Sequence, residues 1–477
     1  IDNWMNNGQA LGQYKLTALL EALGFLDAQV KEQAKLGRIE NYMVTIPAVV
    51  GRKANYKHPI AAFGSKAQTE GFRVACLFGK YDADRLIEEL KNMGNSKNTL
   101  VLLDYALSLP DRRLFAKKIK ASFSDKVFAV IDRVLLMFLV NNYSVQFINQ
   151  ILMSVMMPFS YCQPYVWDSS KVMPPEIFIG RQEELEKIES PSGVNIVYGG
   201  RQLGKSALLK KAKMDIDFDE NNNRAVYIEI KSMDYERAAK KICCELYDAG
   251  VLKEEIDTTD WDVLARAIKK RLLDDKEERI PYLLLLLDEA DTFIESCTEV
   301  NFKPFDALKE IQNIGMDRFK FVIAGLHNIV RFKRDAALSN NSVITHLSSI
   351  TIRPFHTKDA RQLLEEPLYC LGFRFPKERQ ALISLILAST NYFPGLIQLY
   401  CANLIEAMKK DDYAGYDEGN TPAYEVTQKH IKKVLSDPSF MNQIREKFEI
   451  TLKLDEDNMY YIIALLMAYL YHQNANS

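Results

Sequence analysis

Apolar positions along the chain change their period several times, and each change marks an element. Over residues 1–45, leucines recur at spacings of three and four (Leu16, Leu19, Leu20, Leu23 and Leu26), which predicts helix with one apolar face. Residues 46–70, with Gly51, Pro59, Gly64 and scattered basic side chains, carry no assignable pattern. From Phe72 onward, short apolar runs alternate with amphipathic stretches. Residues 72–78, 99–105 and 127–132 read as strands, and 82–93 and 109–119 as helices, the second with a proline near its start. The alternation predicts a small parallel α/β unit. Asp104 and Asp132 end apolar strands here, where a parallel sheet binds ligands, but no Gly-rich loop accompanies them, and they are expected to cap loops or pair with Arg112 or Arg133 rather than form a site. A helical stretch at 133–157 and a connector at 158–175, rich in aromatics and prolines, mark a domain boundary.

The alternation resumes beyond residue 178. Strands are expected at 194–198, 225–230, 282–287, 319–324 and 349–352, with helices at 235–249, 262–273 and 305–314. The run 282–287 is apolar throughout, as a central parallel strand buried on both faces should be. After Pro354 the pattern turns helical at 357–370, 377–389 and 394–409. A polar loop at 409–422 separates these helices from a last part, 425–477, read as a small helical or winged-helix domain cut short at its end.

Candidate chemistry begins at the strand 194–198. The next residues, Gly199, Gly200, Arg201, Gln202, Leu203, Gly204, Lys205 and Ser206, fit G-x-x-x-x-G-K-[ST] at every fixed position, and a helix opens at Ala207. Glycines at these places let backbone N–H groups turn inward on a phosphate, and the helix N-terminus adds partial positive charge. Lys205 is placed for the β- and γ-phosphates and the Ser206 hydroxyl for Mg²⁺. A phosphate cradle needs a carboxylate on a neighbouring strand to complete a metal shell. The strand 282–287 supplies it in Asp288, 83 residues beyond Lys205, and Glu289 beside it is placed as general base for an attacking water. The strand 319–324 offers a polar tip in His327 or Asn328 for the γ-phosphate or that water. Arg331 and Arg334 read either as surface arginines or as fingers acting on a neighbouring copy, and the role of Arg201 stays open.

Composition narrows the setting. The chain has 477 residues, 48% hydrophobic and 26% charged, with a formal net charge of −2, so it is globular, has room for several domains, and has no global basic excess toward nucleic acid. Seven cysteines without C-x-x-C spacing suggest neither a disulfide framework nor a zinc site, and a reducing, cytoplasmic setting is the default. No apolar run approaches the ~20 residues of a membrane span. The chain begins Ile1-Asp-Asn-Trp rather than with Met and reads as part of a longer protein.

Taken together, these motifs resemble the AAA-like P-loop ATPases, most closely the signal-transduction ATPases with numerous domains (STAND) and the archaeal-type and origin-recognition-like ATPases. Phe178-Ile179-Gly180-Arg181, with Glu184 three residues on, is similar to that group's entry motif, which lies beside adenine. Ile352-Arg-Pro-Phe355 is similar to the strand that leaves the core for a helical lid. Thr390 to Gln398 is similar to the lid segment in which Pro394 nears the nucleotide base, and Gln398 stands where initiator-type members carry a γ-phosphate-sensing arginine. His430 falls near the place of a histidine that many STAND proteins turn toward ADP.

The resemblance implies an α/β P-loop NTPase core with an AAA-like parallel sheet (166–356), a helical lid (357–420) and a winged-helix-like domain (421–477). These follow N-terminal helices (1–45) and a small α/β domain of unassigned role (46–165). It implies ATP or ADP and Mg²⁺ as cofactors, slow regulatory hydrolysis, and a nucleotide-controlled switch acting through a homo-oligomer or a partner protein, in bacterial regulation or antiphage defence. The alternative is an origin-recognition-like or transposition-type ATPase that loads on DNA, although acidic residues offset the lysines at the chain's end.

Overall fold

The computed structural model describes residues 12–23, 25, 28–36, 39–45, 71–93, 98–123, 128–141, 165–166, 173, 177–193, 195–217, 222–273, 280–315, 317–326, 347–371, 373–376, 379–410, 424–452 and 459–475. The first unit opens with helix α1 (Gly12–Ala22), which buries Leu16, Leu19 and Leu20, as the leucine spacing predicts. Leu26 lies outside the described residues.

The helical expectation for the rest of 1–45 is overturned. Strands β1 (Gln29–Leu36) and β2 (Ile39–Thr45) form an antiparallel hairpin. Tyr42 and Val44 are buried while Asn41, Met43 and Thr45 are partly exposed, a period-two pattern that tertiary pairing enforces. Strand β2 pairs antiparallel with β3 (Phe72–Leu77), so a boundary at residue 45 would cut through one sheet. Helix α2 (Ala83–Asn92), strand β4 (Thr99–Leu103), helix α3 (Leu109–Ser122), strand β5 (Phe128–Ile131) and helix α4 (Arg133–Asn141) follow. The sheet order is β1-β2-β3-β4-β5, with the last three strands parallel. The unit is therefore mixed rather than purely parallel.

Alternate residues of these strands serve two cores. Ala75, Leu77, Val101 and Leu103 face α2 and α3, whereas Val74, Cys76, Leu100 and Leu102 join α1 and α4. Asp104 accepts from the Gly79 N–H at 2.9 Å, and Asp132 pairs with Arg112 at 2.8 Å and accepts from the Leu107 and Leu135 N–H groups. Both acids hold loops, as expected.

The second unit contains α5 (Gln182–Glu189), β6 (Asn195–Tyr198), α6 (Lys205–Asp217), β7 (Arg224–Glu229), α7 (Tyr235–Asp248), α8 (Trp261–Leu273) and β8 (Leu283–Asp288). It continues with α9 (Asp291–Cys297), α10 (Lys303–Gly315), β9 (Phe319–Gly325) and β10 (Ser348–Thr351). All five strands are parallel in the order β10-β6-β9-β8-β7. Strand β9 thus sits between the strand that feeds the glycine loop and the strand that ends in Asp288. Helices α5 and α6 cover one face, and α7 to α10 the other.

Lys320, the second residue of β9, is fully buried. Its ammonium donates to the carbonyls of Lys187 (2.6 Å), Ser190 (2.7 Å) and Ser192 (3.3 Å), closing the C-terminal end of α5. Burial pushes the pKa of the amine down to about 8. Lys320→Met should lower unfolding stability by about 2–4 kcal/mol, because it strands buried acceptors and removes a cation from a helix C-terminus. Denaturant titration of the two proteins checks this.

The lid comprises α11 (Thr357–Cys370), β11 (Phe373–Arg374), α12 (Arg379–Ser389) and α13 (Pro394–Lys410). Strand β12 (Tyr424–Glu425) pairs with β11, and α14 (Gln428–Leu435) packs its Ile431 and Val434 into the lid's core. Residues 424–435 thus pack against the lid through strand pairing and a shared core. Helices α15 (Pro438–Leu452) and α16 (Met459–Ala475) follow, and among the described residues of 421–477 no wing hairpin is present. The lid's core is continuous with the α1 and α4 face of the first sheet. Among the described residues, no helix is long and apolar enough to cross a membrane.

Candidate functional site

The site forms where β6 ends. Gly199 lies so close to β10 that a Cβ there would meet the Ile352 carbonyl oxygen at 2.5 Å. Gly204 has φ +92°, a left-handed conformation that favours glycine. The motif's two fixed glycines thus answer two separate needs, close strand packing and a reversed turn. The Lys205 side chain is folded into the loop, donating to the carbonyls of Gly199 (2.8 Å) and Gly200 (3.0 Å). Burial lowers its pKa, while Asp288, Glu289 and Asp291 pull it back up.

Strand β8 delivers the acids. Asp288 is buried, and it accepts from the Tyr227 hydroxyl at 2.7 Å and from the Glu289 N–H at 2.9 Å. Glu289 has φ 53°, a strained conformation for a residue with a side chain, and it faces the cleft. Burial raises its pKa, the neighbouring Asp288 raises it further, and Arg201, Lys205 and Lys231 oppose the shift. Asp291 accepts from the Leu326 N–H at 2.9 Å, which fixes the end of β9 against β8. His327, Asn328, Arg331 and Arg334 lie outside the described residues.

The lid closes the cleft. The N–H of Gly395, at the start of α13, donates to the Gln202 carbonyl at 3.0 Å, and Gln202 itself has φ 61°. A Cβ on Gly395 would meet Gln202 Oε1 at 2.3 Å, so loop and lid are in direct contact. Pro394, Gly395 and Gln398 line the cleft with Arg201 to Ala207 and Glu289. Val166, Met173, Phe178 and Met214 supply an apolar wall. Phosphate-binding loop, carboxylates and apolar wall are the parts a nucleotide site requires.

Not every expected residue reaches the cleft. Of the entry motif, Phe178 lines it, but Ile179, Gly180 and Arg181 do not. Ile179 is buried, and Gly180 packs on Asp359. The Arg181 guanidinium bonds Glu184 (3.2 Å), the Leu203 carbonyl (3.4 Å) and the Arg353 carbonyl, and stacks on Phe355 at 4.8 Å. It thus ties the phosphate loop to the lid's entrance. His430 is a helix cap: its Nδ1 accepts from the Thr427 N–H at 3.1 Å, leaving the ring buried in the lid.

Several lining residues carry no advance signal. Val166 and Met173 lie in an aperiodic connector. Lys210 and Lys211 follow the loop by one helical turn and are placed by that spacing. Gln398 accepts from the Val166 N–H at 3.0 Å, so it anchors the connector to the lid.

Ser206 and Asp288 fit a divalent cation. Ser206 lines the cleft from the first turn of α6, and Asp288 ends β8 with its carboxylate held by the Tyr227 hydroxyl at 2.7 Å, oxygen donors of the kind such a cation takes. Among the described residues, no group of three or more His, Cys, Asp or Glu side chains is placed to hold a metal. A cation here would complete its shell with phosphate oxygens and water.

No family model matches the chain, and no curated protein matches it in sequence. Among solved structures it is similar to a Walker-type ATPase of Pyrococcus abyssi, at 13% identity over 63% of this chain and 77% of that one, with TM-score 0.37. It is also similar to the ORC2 protein of Aeropyrum pernix in ADPNP–ADP complexes, at 13% identity over 57% and 71%, TM-score 0.41. A third is domain III of the replication initiation protein DnaA of Thermotoga maritima, at 14% identity over 54% and 92%, TM-score 0.34. These likenesses are too remote to add to the strand order itself. Five parallel strands in that order, the glycine loop after β6 and the acids after β8 give the second unit the fold of an AAA-like P-loop nucleoside triphosphatase.

Proposed function

We propose that the chain binds ATP and ADP between the phosphate loop and the lid, hydrolyses ATP slowly with Mg²⁺, and uses the nucleotide state to move the lid. The observation that carries this reading is the hydrogen bond from the Gly395 N–H to the Gln202 carbonyl. A phosphate that reorders the loop must disturb the N-terminus of α13, and α13 shares its core with the first unit. In this reading Lys205 meets the β- and γ-phosphates, and Ser206 and Asp288 hold the cation. Glu289 takes a proton from the attacking water, and Asn328 orients that water. Phe178, Pro394 and Met214 receive the base. Arg181 holds loop and lid entrance together rather than touching the nucleotide.

Such a STAND-like switch has to change an association. Helix α16 exposes Tyr460, Leu466, Met467 and Tyr471, each more than half accessible, an apolar surface that self-association would bury. Mass measurement with ADP and with a non-hydrolysable ATP analogue tests the switch. A change in oligomeric mass between the two is expected, and an identical mass in both would contradict it.

A second reading, loading on DNA, is favoured by Lys429, Lys432 and Lys433, all exposed on α14. It requires duplex binding whose affinity falls steeply with salt.

A further inference from the structure

Gln398 lines the cleft with a donor that nothing in the protein uses. The residue is 3% exposed, and its Oε1 accepts from the Val166 N–H at 3.0 Å. A backbone N–H can only donate, so this bond fixes which end of the amide faces Val166. Nε2 is the other prong. Among the described residues it has no partner, and it reaches the surface of the cleft. Buried polar groups of folded proteins nearly always have a partner, so this donor calls for an acceptor from outside the chain. Its surroundings say where that acceptor lies. Pro394 and Gln398, four residues apart, share one face of α13. Pro394 packs on the phosphate loop, its Cγ 3.9 Å from where a Cβ on Gly204 would stand. Gln398 is one turn, about 6 Å, further along the helix. There it meets Val166, which forms the apolar wall of the cleft with Met173, Phe178 and Met214.

We propose that Gln398 reads the base of the bound nucleotide: Nε2 donates to an unprotonated ring nitrogen on the edge of a purine, while Oε1 stays on the Val166 N–H. An apolar wall holds a flat ring by burial but does not fix its rotation in its own plane. One oriented polar group does. Val166 orients the amide before the base arrives, so little side-chain freedom is lost on binding. Only a donor is offered, so the base edge that fits carries an acceptor at that place. Adenine has such acceptors at N1, N3 and N7. The same amide ties the base to the connector that leads back to the first unit.

The inference rests on the nucleotide site described under Proposed function, and the test separates the two. Calorimetry measures the affinity of wild type, Gln398→Met and Gln398→Glu for ADP, for a non-hydrolysable ATP analogue, and for the 1-deaza, 3-deaza and 7-deaza analogues of ADP. Methionine keeps the length of the side chain and removes both donor and acceptor. Glutamate keeps the acceptor for Val166 and removes only the donor. In wild type, one deaza analogue should bind about three- to tenfold more weakly than ADP, the scale of one hydrogen bond. In both variants ADP should lose at least a similar factor, and that analogue should bind no more weakly than ADP, because the bond is already gone. No penalty for any deaza analogue in wild type, or the same penalty in wild type and both variants, would overturn the base contact. A loss confined to the ATP analogue, with ADP unaffected, would put the donor on the γ-phosphate and overturn it as well. Should Gln398→Met fail to fold because it strands the Val166 N–H, Gln398→Glu carries the comparison with the same expected outcome. Wild-type protein that binds no nucleotide at all would overturn the reading of the site, and the base contact with it.

Discussion

Glu289→Gln is expected to leave ATP affinity within about twofold and to cut turnover by about 10²- to 10³-fold, the range of a lost general base. The substitution is nearly isosteric, so the strained turn at φ 53° and the Asp288 contact to its N–H survive. What is lost is the ability to accept a proton. The environment tunes that ability: burial and the adjacent Asp288 raise the Glu289 pKa, against the pull of Arg201, Lys205 and Lys231. A base works only when deprotonated. Turnover should therefore fall on the acid side at a higher pH than an ordinary glutamate would give, and the residual turnover of the glutamine variant should lack that limb. Single-turnover phosphate release across pH measures both. Wild-type rates in the variant would remove Glu289 from the chemistry.

Lys205→Ala is expected to weaken nucleotide binding by about 10²-fold or more. Two charge-assisted hydrogen bonds to phosphate at about 1.5–3 kcal/mol each set that scale. The side chain now spends its donors on the Gly199 and Gly200 carbonyls, so a nucleotide must draw the ammonium out of the loop. The alanine variant also leaves those carbonyls without their donor. A modest loss of stability should accompany the loss of affinity, and melting curves taken beside the calorimetry separate the two. Undiminished binding would mean that the loop holds no phosphate.

The phosphate loop, the acid pair after an apolar strand and the three main lid helices are legible because each rests on local pattern: fixed glycines, an unbroken apolar run, or leucine-rich periodicity. The β1–β2 hairpin is not, because Glu40 is buried on β2 against the Tyr42 hydroxyl and breaks the apolar signal that would mark a strand. Strands β11 and β12 are two residues each and exist only through their mutual pairing. Lys320 is a charged residue inside an apolar strand and is buried there, because its acceptors come from the end of a helix more than 100 residues away. Gln398 shows the same limit. Its place in the lid is visible in the sequence, but its contact with Val166 is made by tertiary structure alone. The site's contacts to the lid and connector belong to this second kind, so the sequence points to a phosphate-binding loop, and the fold shows what that loop is coupled to.

The central claim is that a nucleotide in this cleft is felt by the lid through Gln202 and Gly395. Hydrogen exchange of the α13 amides, measured without nucleotide, with ADP and with a non-hydrolysable ATP analogue, tests it most directly. Protection at Gly395 and through the first turn of α13 is expected to differ among the three states, together with protection of the phosphate loop. Nucleotide that protects the loop while leaving α13 unchanged in every state would contradict it.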